Sequence, residues 1–148
     1  YFLYVRGEVD MDKTILVYWS GTGNTKIIAE KIKEGIKDAF LVNVENIDYH
    51  EVLKYDKIIL GCSAMGNENL EEEIFEPFFE SIENKLDNKK IALFGSYGWG
   101  DGAWMTNWEE RVKKTKAILF EESLTIYSTP STEEELLAVE FGKKISKF

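Results

Sequence analysis

Residues 14–20 read TILVYWS, a nearly unbroken apolar run rich in β-branched and aromatic side chains, the pattern of a strand covered on both faces rather than one. After a glycine turn the period changes. Ile28, Ile32 and Ile36 recur at four-residue steps among lysines and glutamates, predicting an amphipathic helix over 24–40. Residues 41–46 read as a short strand, 49–56 as a polar connection, and 57–63 (KIILGCS) as another continuous apolar strand. Phe78, Ile82 and Leu86 set one face of a helix over 77–85, 90–96 (KIALFGS) returns to strand, and Trp104, Trp108 and Val112 mark the next helix. A fifth strand is predicted over 117–126 and a last helix over 134–148. Leu137, Phe141, Ile145 and Phe148 form that helix's apolar stripe, and Pro130 separates the two elements.

Strands alternating with helices specify parallel pairing, because parallel neighbours need crossovers and the crossovers must cover the sheet. The expected fold is α/β: a doubly wound five-stranded parallel sheet with helices on both faces. In such sheets a ligand sits outside the carboxyl ends of the strands, where the strand order reverses. The loops after the first, third and fourth strands are therefore expected to converge, and these are the loops of unusual composition.

The length of 148 residues fits one domain, read as 11–148; Met11 resembles a natural start, so 1–10 is expected to be a leader or an added extension, the alternative being a genuine edge segment. Eighteen basic against 27 acidic residues leave a net charge of −9, which repels a phosphate polymer and excludes DNA and RNA as partners. One cysteine, Cys62, and one histidine, His50, rule out a disulfide framework, a multi-cysteine metal site and an imidazole cluster. No apolar stretch is long enough to span a membrane and no secretory signal is present, so a soluble cytoplasmic protein is expected.

The first loop, SGTGNT (20–25), joins a buried strand to a helix start. Its glycines permit a tight turn, and the helix N–H groups with the hydroxyls of Ser20, Thr22 and Thr25 can address one anion. Neither GxxxxGK[ST] nor GxGxxG is satisfied, since Lys26 stands where the third glycine of the latter would fall. A phosphomonoester held by hydroxyls and amides fits best; the alternative is an ordinary turn capped by Asn24 or Thr25. In the second loop, from Gly61 to Glu73, Met65 is followed by Gly66 and Asn67, both tolerant of positive φ, so a peptide there can take more than one orientation. Taken alone, Met65 is more often a gap-filling core residue. The third loop, GSYGWGDGAW, interleaves four glycines with Tyr97, Trp99 and Trp104, which makes Trp99 a stacking candidate for a flat ligand or, alternatively, a residue closing the core or an interface.

VYWSGTGNT (17–25), LGCSAMGNE (60–68) and LFGSYGWGDG (93–102), in this order and each at a strand end, resemble the flavodoxins, specifically the short-chain type of clostridia and similar anaerobes; FGKKI (141–145) resembles the family's last helix. The similarity extends over nearly all of 11–148, and no long insertion follows or splits the fifth strand, as in the short-chain class. The resemblance implies strand order 2-1-3-4-5 with FMN at the switch point, a topology for which this family is a stock example.

It further implies an FMN phosphate in Ser20, Gly21, Thr22, Gly23, Asn24 and Thr25, and an isoalloxazine ring between Met65 and Trp99. Ser63, Ala64, Gly66, Asn67 and Glu68 complete the site from the second loop, with the Glu68 carboxylate at N3. Ser96, Tyr97, Gly98, Gly100 and Asp101 complete it from the third. Gly66 and Asn67 are the redox-tuning pair, the Gly66 carbonyl accepting from N5–H after one electron arrives. Asn67 stands where clostridial members commonly carry Asp. No metal site and no catalytic residue is expected.

A hydrogen bond made only to the neutral semiquinone eases the first reduction, about 59 mV for roughly 1.4 kcal/mol. The second electron creates an anionic hydroquinone near Glu68, Glu71, Glu72, Glu73 and Asp101. Each charge about 10 Å away opposes it by roughly 1.7 kcal/mol at an effective dielectric of about 20. The implied protein is a low-potential one-electron carrier that substitutes for ferredoxin and is a monomer. Its acidic 68–76 run either steers it to basic surfaces of ferredoxin-type reductases and oxidoreductases or is merely a solvated face. The competing readings are an FMN-dependent NAD(P)H quinone or nitro reductase and a binding module that has lost its cofactor.

Overall fold

β1 (Thr14–Trp19) lies inside a parallel sheet in the computed structural model, which describes residues 13–148. The 1–10 segment read above as a leader lies outside the described residues. Ile15, Leu16 and Val17 of β1 have no solvent exposure, as a strand covered on both faces requires. α1 (Asn24–Glu34) leads to β2 (Ala39–Asn43), and a 3-10 turn and α2 (Tyr49–Val52) precede β3 (Lys57–Cys62). α3 (Phe75–Glu83), β4 (Lys90–Tyr97), α4 (Ala103–Lys113), β5 (Ile118–Leu119), β6 (Leu124–Tyr127) and α5 (Thr132–Ser146) follow. The strand order is β2-β1-β3-β4-β5, with β6 also on β4 and every pairing parallel. The expected doubly wound architecture and order are thus present.

Successive strand residues feed two cores, as the two-residue strand period demands. Ile15, Val17, Ile58 and Leu60 face the side covered by α3 and α4, with Phe75, Phe79, Trp104 and Trp108. Leu16, Ile59, Ala92 and Phe94 face α1 and α5, with Ile28, Ile32, Phe141 and Ile145. Trp108 meets the rings of Phe75 and Phe79 at 84° and 90°, and its buried Nε1 has no hydrogen-bond partner among the described residues.

Four expectations shift. The first helix stops at Glu34, with Gly35 closing it through an N–H donated to Ile32 O, and β2 begins at Ala39 instead of 41. The expected polar connection 49–56 contains α2, capped by an Asp48 oxygen accepting from the His50 N–H and anchored by buried Val52. The fifth strand is two pieces: between Ile91 and Phe94 of β4 the partners run from Leu119 to Leu124, two more residues than β4 supplies. Phe120 still donates its N–H to Ile91 O at 2.8 Å, its ring packs on those of Phe141 and Phe148 at 5.7 and 5.1 Å, and the pairing lapses after it.

On α5 the buried residues are Ala138, Phe141, Gly142 and Ile145, whereas Leu137 is 57% exposed. Four-residue steps drift by about 40° per step on a 3.6-residue helix, and the close packing of Gly142 on α1 sets the rotation that turns Leu137 out. α5 opens with a capping box: Ser131 Oγ accepts from the Glu134 N–H and Glu134 Oε1 from the Ser131 N–H. Ser131→Ala is expected to cost about 1 kcal/mol and lower Tm by about 3 °C. An unchanged melting curve would show that the box contributes nothing. No helix among the described residues is long and apolar enough to cross a membrane.

Candidate functional site

The carboxyl ends of β1, β3 and β4 carry the three glycine-containing loops to one cleft of about 200 Å³. In the first loop, Ser20 Oγ accepts from the Gly23 N–H at 3.0 Å and the Lys26 N–H at 3.3 Å, so this hydroxyl folds the loop back on itself. Gly23, at φ 103°, is the N-cap of α1, a left-handed position that costs glycine little. It supplies no capping side chain, and the first turn holds no acidic residue. The N–H groups of Asn24 and Thr25 have no carbonyl behind them in the helix. The positive end of α1 is therefore uncompensated where Gly21, Thr22 and Asn24 line the cleft. Thr25 turns away from the cleft into the interior.

In the second loop Ser63, Ala64 and Met65 line the cleft. Met65 and Asn69 exchange both backbone hydrogen bonds at 2.8 Å, closing Gly66, Asn67 and Glu68 into a tight turn. The left-handed positions are Gly66 (φ 54°) and Glu68 (φ 58°), rather than Gly66 and Asn67, and Asn67 is exposed at the tip. The Glu68 carboxylate does not stand free. Its Oε1 accepts from the Gly102 and Ala103 N–H groups at 3.1 and 2.9 Å, capping α4. The two helices that begin at the site thus differ: α4 carries its own carboxylate and α1 carries none.

The acidic run divides in the same way. Glu71 is buried, its carboxylate accepting from the N–H groups of Glu73, Ile74 and Phe75, each at 2.8 Å, so it caps α3. Glu76 holds Arg111 by two 2.8 Å bonds, and Glu83 adds two more at 3.1 and 2.9 Å; bonding first to Glu76 and then to Glu83 raises the guanidinium pKa further, so Arg111 stays charged. Glu72 and Glu73 remain exposed.

In the third loop Ser96, Tyr97, Gly98 and Trp99 line the cleft. Trp99 is 48% exposed, and its Nε1 donates to Gly66 O at 3.2 Å, tying the third loop to the second. Tyr97 is wedged between the rings of Trp104 and Tyr127, both at 5.3 Å. Gly100 lies against the Glu68 carboxylate and Asp101 is exposed, so neither lines the cleft.

Two lining residues escape sequence reasoning. Trp19 ends the first strand and reads there as a core residue, although its place just before the Ser20 glycine turn marks it. Ser128, at φ 61°, donates its N–H to Tyr97 O at 2.7 Å, and the neighbouring Thr129 hydroxyl donates to Asn24 Oδ1 at 3.3 Å; the STP run after β6 is the signal.

Burial pushes the Cys62 thiol up, far from thiolate chemistry, and His50 is paired with Asp48 on the surface between β2 and β3. Among the described residues no cluster of His, Cys, Asp and Glu is placed to hold a metal ion.

A family model described as Flavodoxin matches residues 16–142. The flavodoxin of Clostridium beijerinckii is 51% identical over 135 residues, covering 88% of this chain and 97% of that protein. The flavodoxin of Megasphaera elsdenii is 47% identical over 108 residues, covering 70% of this chain and 79% of that one. The solution structure of two-electron reduced Megasphaera elsdenii flavodoxin superposes with a TM-score of 0.80 at 40% identity, over 91% of this chain and 99% of its own.

Proposed function

The chain belongs to the flavodoxin family, and from that membership we infer that it is a low-potential carrier that moves single electrons in ferredoxin's place, with FMN held in the cleft. Flavodoxins are FMN-binding electron-transfer proteins rather than enzymes, and FMN when bound supplies the redox chemistry while the protein sets its energies. The observation that carries the reading is the open N-terminus of α1. Its Asn24 and Thr25 N–H groups have no carbonyl behind them in the helix, its first turn has no acid, and Thr22 and Asn24 stand at the cleft, while the α4 N-terminus beside it is filled by Glu68. That donor set fits a phosphate.

Thr22, Asn24 and Ser63 would hold the phosphate, Met65 and Trp99 the two faces of the ring, and Gly66 and Asn67 the edge where a proton is gained. The left-handed Gly66 and Glu68 allow the intervening peptides to turn without a side-chain clash at Gly66. Asn67 keeps the turn and removes the charge that an aspartate would place there. Glu72, Glu73 and Asp101, exposed near the second and third loops, suit transient docking on basic surfaces of reductases and oxidoreductases. The 11–148 region acts as one cytoplasmic, monomeric domain in this reading.

Anaerobic reductive titration of the FMN-loaded chain tests it. A blue band is expected to accumulate midway and then bleach, showing separated single-electron steps. Direct passage from yellow to colourless, with steady NAD(P)H oxidation by the protein alone, would replace the carrier by the two-electron quinone or nitro reductase.

A further inference from the structure

The second loop and α3 face α4 across a cavity of about 240 Å³ that shares no lining residue with the cleft. Two buried indoles, Trp104 and Trp108, form part of its wall, and Glu68, Glu72, Glu76 and Arg111 also border it. The indoles differ in one respect. Trp104 Nε1 donates to Cys62 O at 3.2 Å, whereas Trp108 Nε1 has no hydrogen-bond partner among the described residues. A buried donor without an acceptor is costly and rare in folded proteins. The rings of Phe75 and Phe79, which meet Trp108 edge to face, have no oxygen to offer. An acceptor for this N–H therefore has to come from the cavity that Trp108 borders.

The charges around the cavity select the molecule that brings it. Arg111 is the one cation among the lining residues, and it is spent: four bonds from its guanidinium go to Glu76 and Glu83, two carboxylates for one positive charge. Glu68 accepts from backbone N–H groups and Glu72 is exposed, so neither charge is met by a cationic side chain among the described residues. The surroundings are net negative and favour a cation over an anion. A plain ammonium has donors only, and would leave the Trp108 N–H unbonded. Water would bond the N–H but would not answer the charge. An ammonium with an oxygen on a neighbouring carbon does both, and the indoles give its carbon atoms an apolar wall.

We propose that this cavity is a binding site for a small hydroxyalkyl ammonium, its oxygen accepting from the Trp108 N–H and its ammonium group held by Glu68 and Glu72. The site stands apart from the flavin reading and does not depend on it.

The test is an NMR titration of the full chain with ethanolamine, followed at the Trp108 indole N–H and at the backbone amides of 68–72. A saturable downfield shift of the indole proton is expected. Ethylamine, which keeps the ammonium and lacks the oxygen, is expected to bind about tenfold more weakly, the loss of one hydrogen bond. Glu72→Lys, at an exposed position, is expected to weaken ethanolamine about tenfold by replacing attraction with repulsion. Trp108→Phe keeps a ring against Phe75 and Phe79 and is expected to bring the two amines within about twofold of each other. If that variant does not fold, the ethylamine comparison in wild type and Glu72→Lys decide by themselves. Absence of a saturable shift, the result for a cavity that holds only water, overturns the proposal. So does equal affinity for ethylamine in wild type, an unchanged affinity in Glu72→Lys, or a tenfold preference that persists in Trp108→Phe.

Discussion

Replacing Trp99 by alanine is expected to weaken FMN binding about 10- to 100-fold and to raise the potential of the second electron by tens of millivolts. Trp99 offers an indole face that no core claims: it is 48% exposed, and its one polar atom is fixed by the bond to Gly66 O. Stacking of a flat heterocycle on such a face contributes roughly 1–3 kcal/mol, which sets the affinity range. The effect on potential comes from water. The second electron adds negative charge to the ring, and removing the indole lets solvent reach that charge and stabilise it. A gain of roughly 1.4 kcal/mol corresponds to about 59 mV.

Trp99→Phe separates two contributions, since it keeps a stacking face but loses the N–H donated to Gly66. Its affinity is expected to stay within a few-fold of wild type, and any change in the first potential then reports on the freed Gly66 carbonyl. Flavin fluorescence gives the affinities and spectroelectrochemistry the potentials. Unchanged affinity and potential in Trp99→Ala would remove Trp99 from the site.

The strand order and both cores were legible because uninterrupted apolar runs such as 14–20 and 57–63 can only be doubly covered strands. The breaks depended on partners that sequence distance hides. Ile36 keeps the helical period beyond Gly35, and only the packing of Gly35 on Val139 and Gly142 of α5 shows why the helix has to end there. The strand expected over 117–126 is continuous in sequence, and only the fold shows the break after Phe120, whose ring sits on Phe141 and Phe148.

The same limit applies at the site. The three loops could be named because their chemistry is local. The tasks of Glu68, Glu71 and Glu76 could not be, since each is defined by a group elsewhere: the start of α4, the start of α3, and Arg111. As a run they read as free charge near a flavin, whereas folded, three of the five glutamates between 68 and 76 are engaged in capping or ion pairing. Of these three only Glu76 is paired with a cation, Arg111; Glu68 and Glu71 accept from backbone N–H groups.

Gly142→Ala is expected to destabilise the protein by about 3 kcal/mol, although alanine is favoured over glycine inside a helix by about 1 kcal/mol. The sign reverses because α1 and α5 cross with main chain against main chain. A Cβ at Gly142 would stand 2.2 Å from Ile32 O and 3.2 Å from Gly35 Cα, and one at Gly35 would stand 2.2 Å from Val139 O and 2.8 Å from Lys143 N. These are backbone atoms that no rotamer change can move aside. Ile32 O is also fixed as the acceptor of the Gly35 N–H, at 2.9 Å, so relief requires the helices to part. Parting them opens the core that Ile28, Ile32, Phe141 and Ile145 share with Leu16 and Phe94.

Urea melts should show a lower midpoint with an unchanged slope. Gly35→Ala should be harmful for the same reason, and the double variant should lose less than the sum of the two, because the first methyl has already separated the crossing. Stability equal to or above wild type in Gly142→Ala would mean that the crossing opens freely. Strict additivity in the double variant would mean that the two glycines relieve separate contacts. The crossing lies about 16 Å along α1 from the end that faces the cleft, so if α1 tilts about its cleft end, FMN affinity should fall far less than stability.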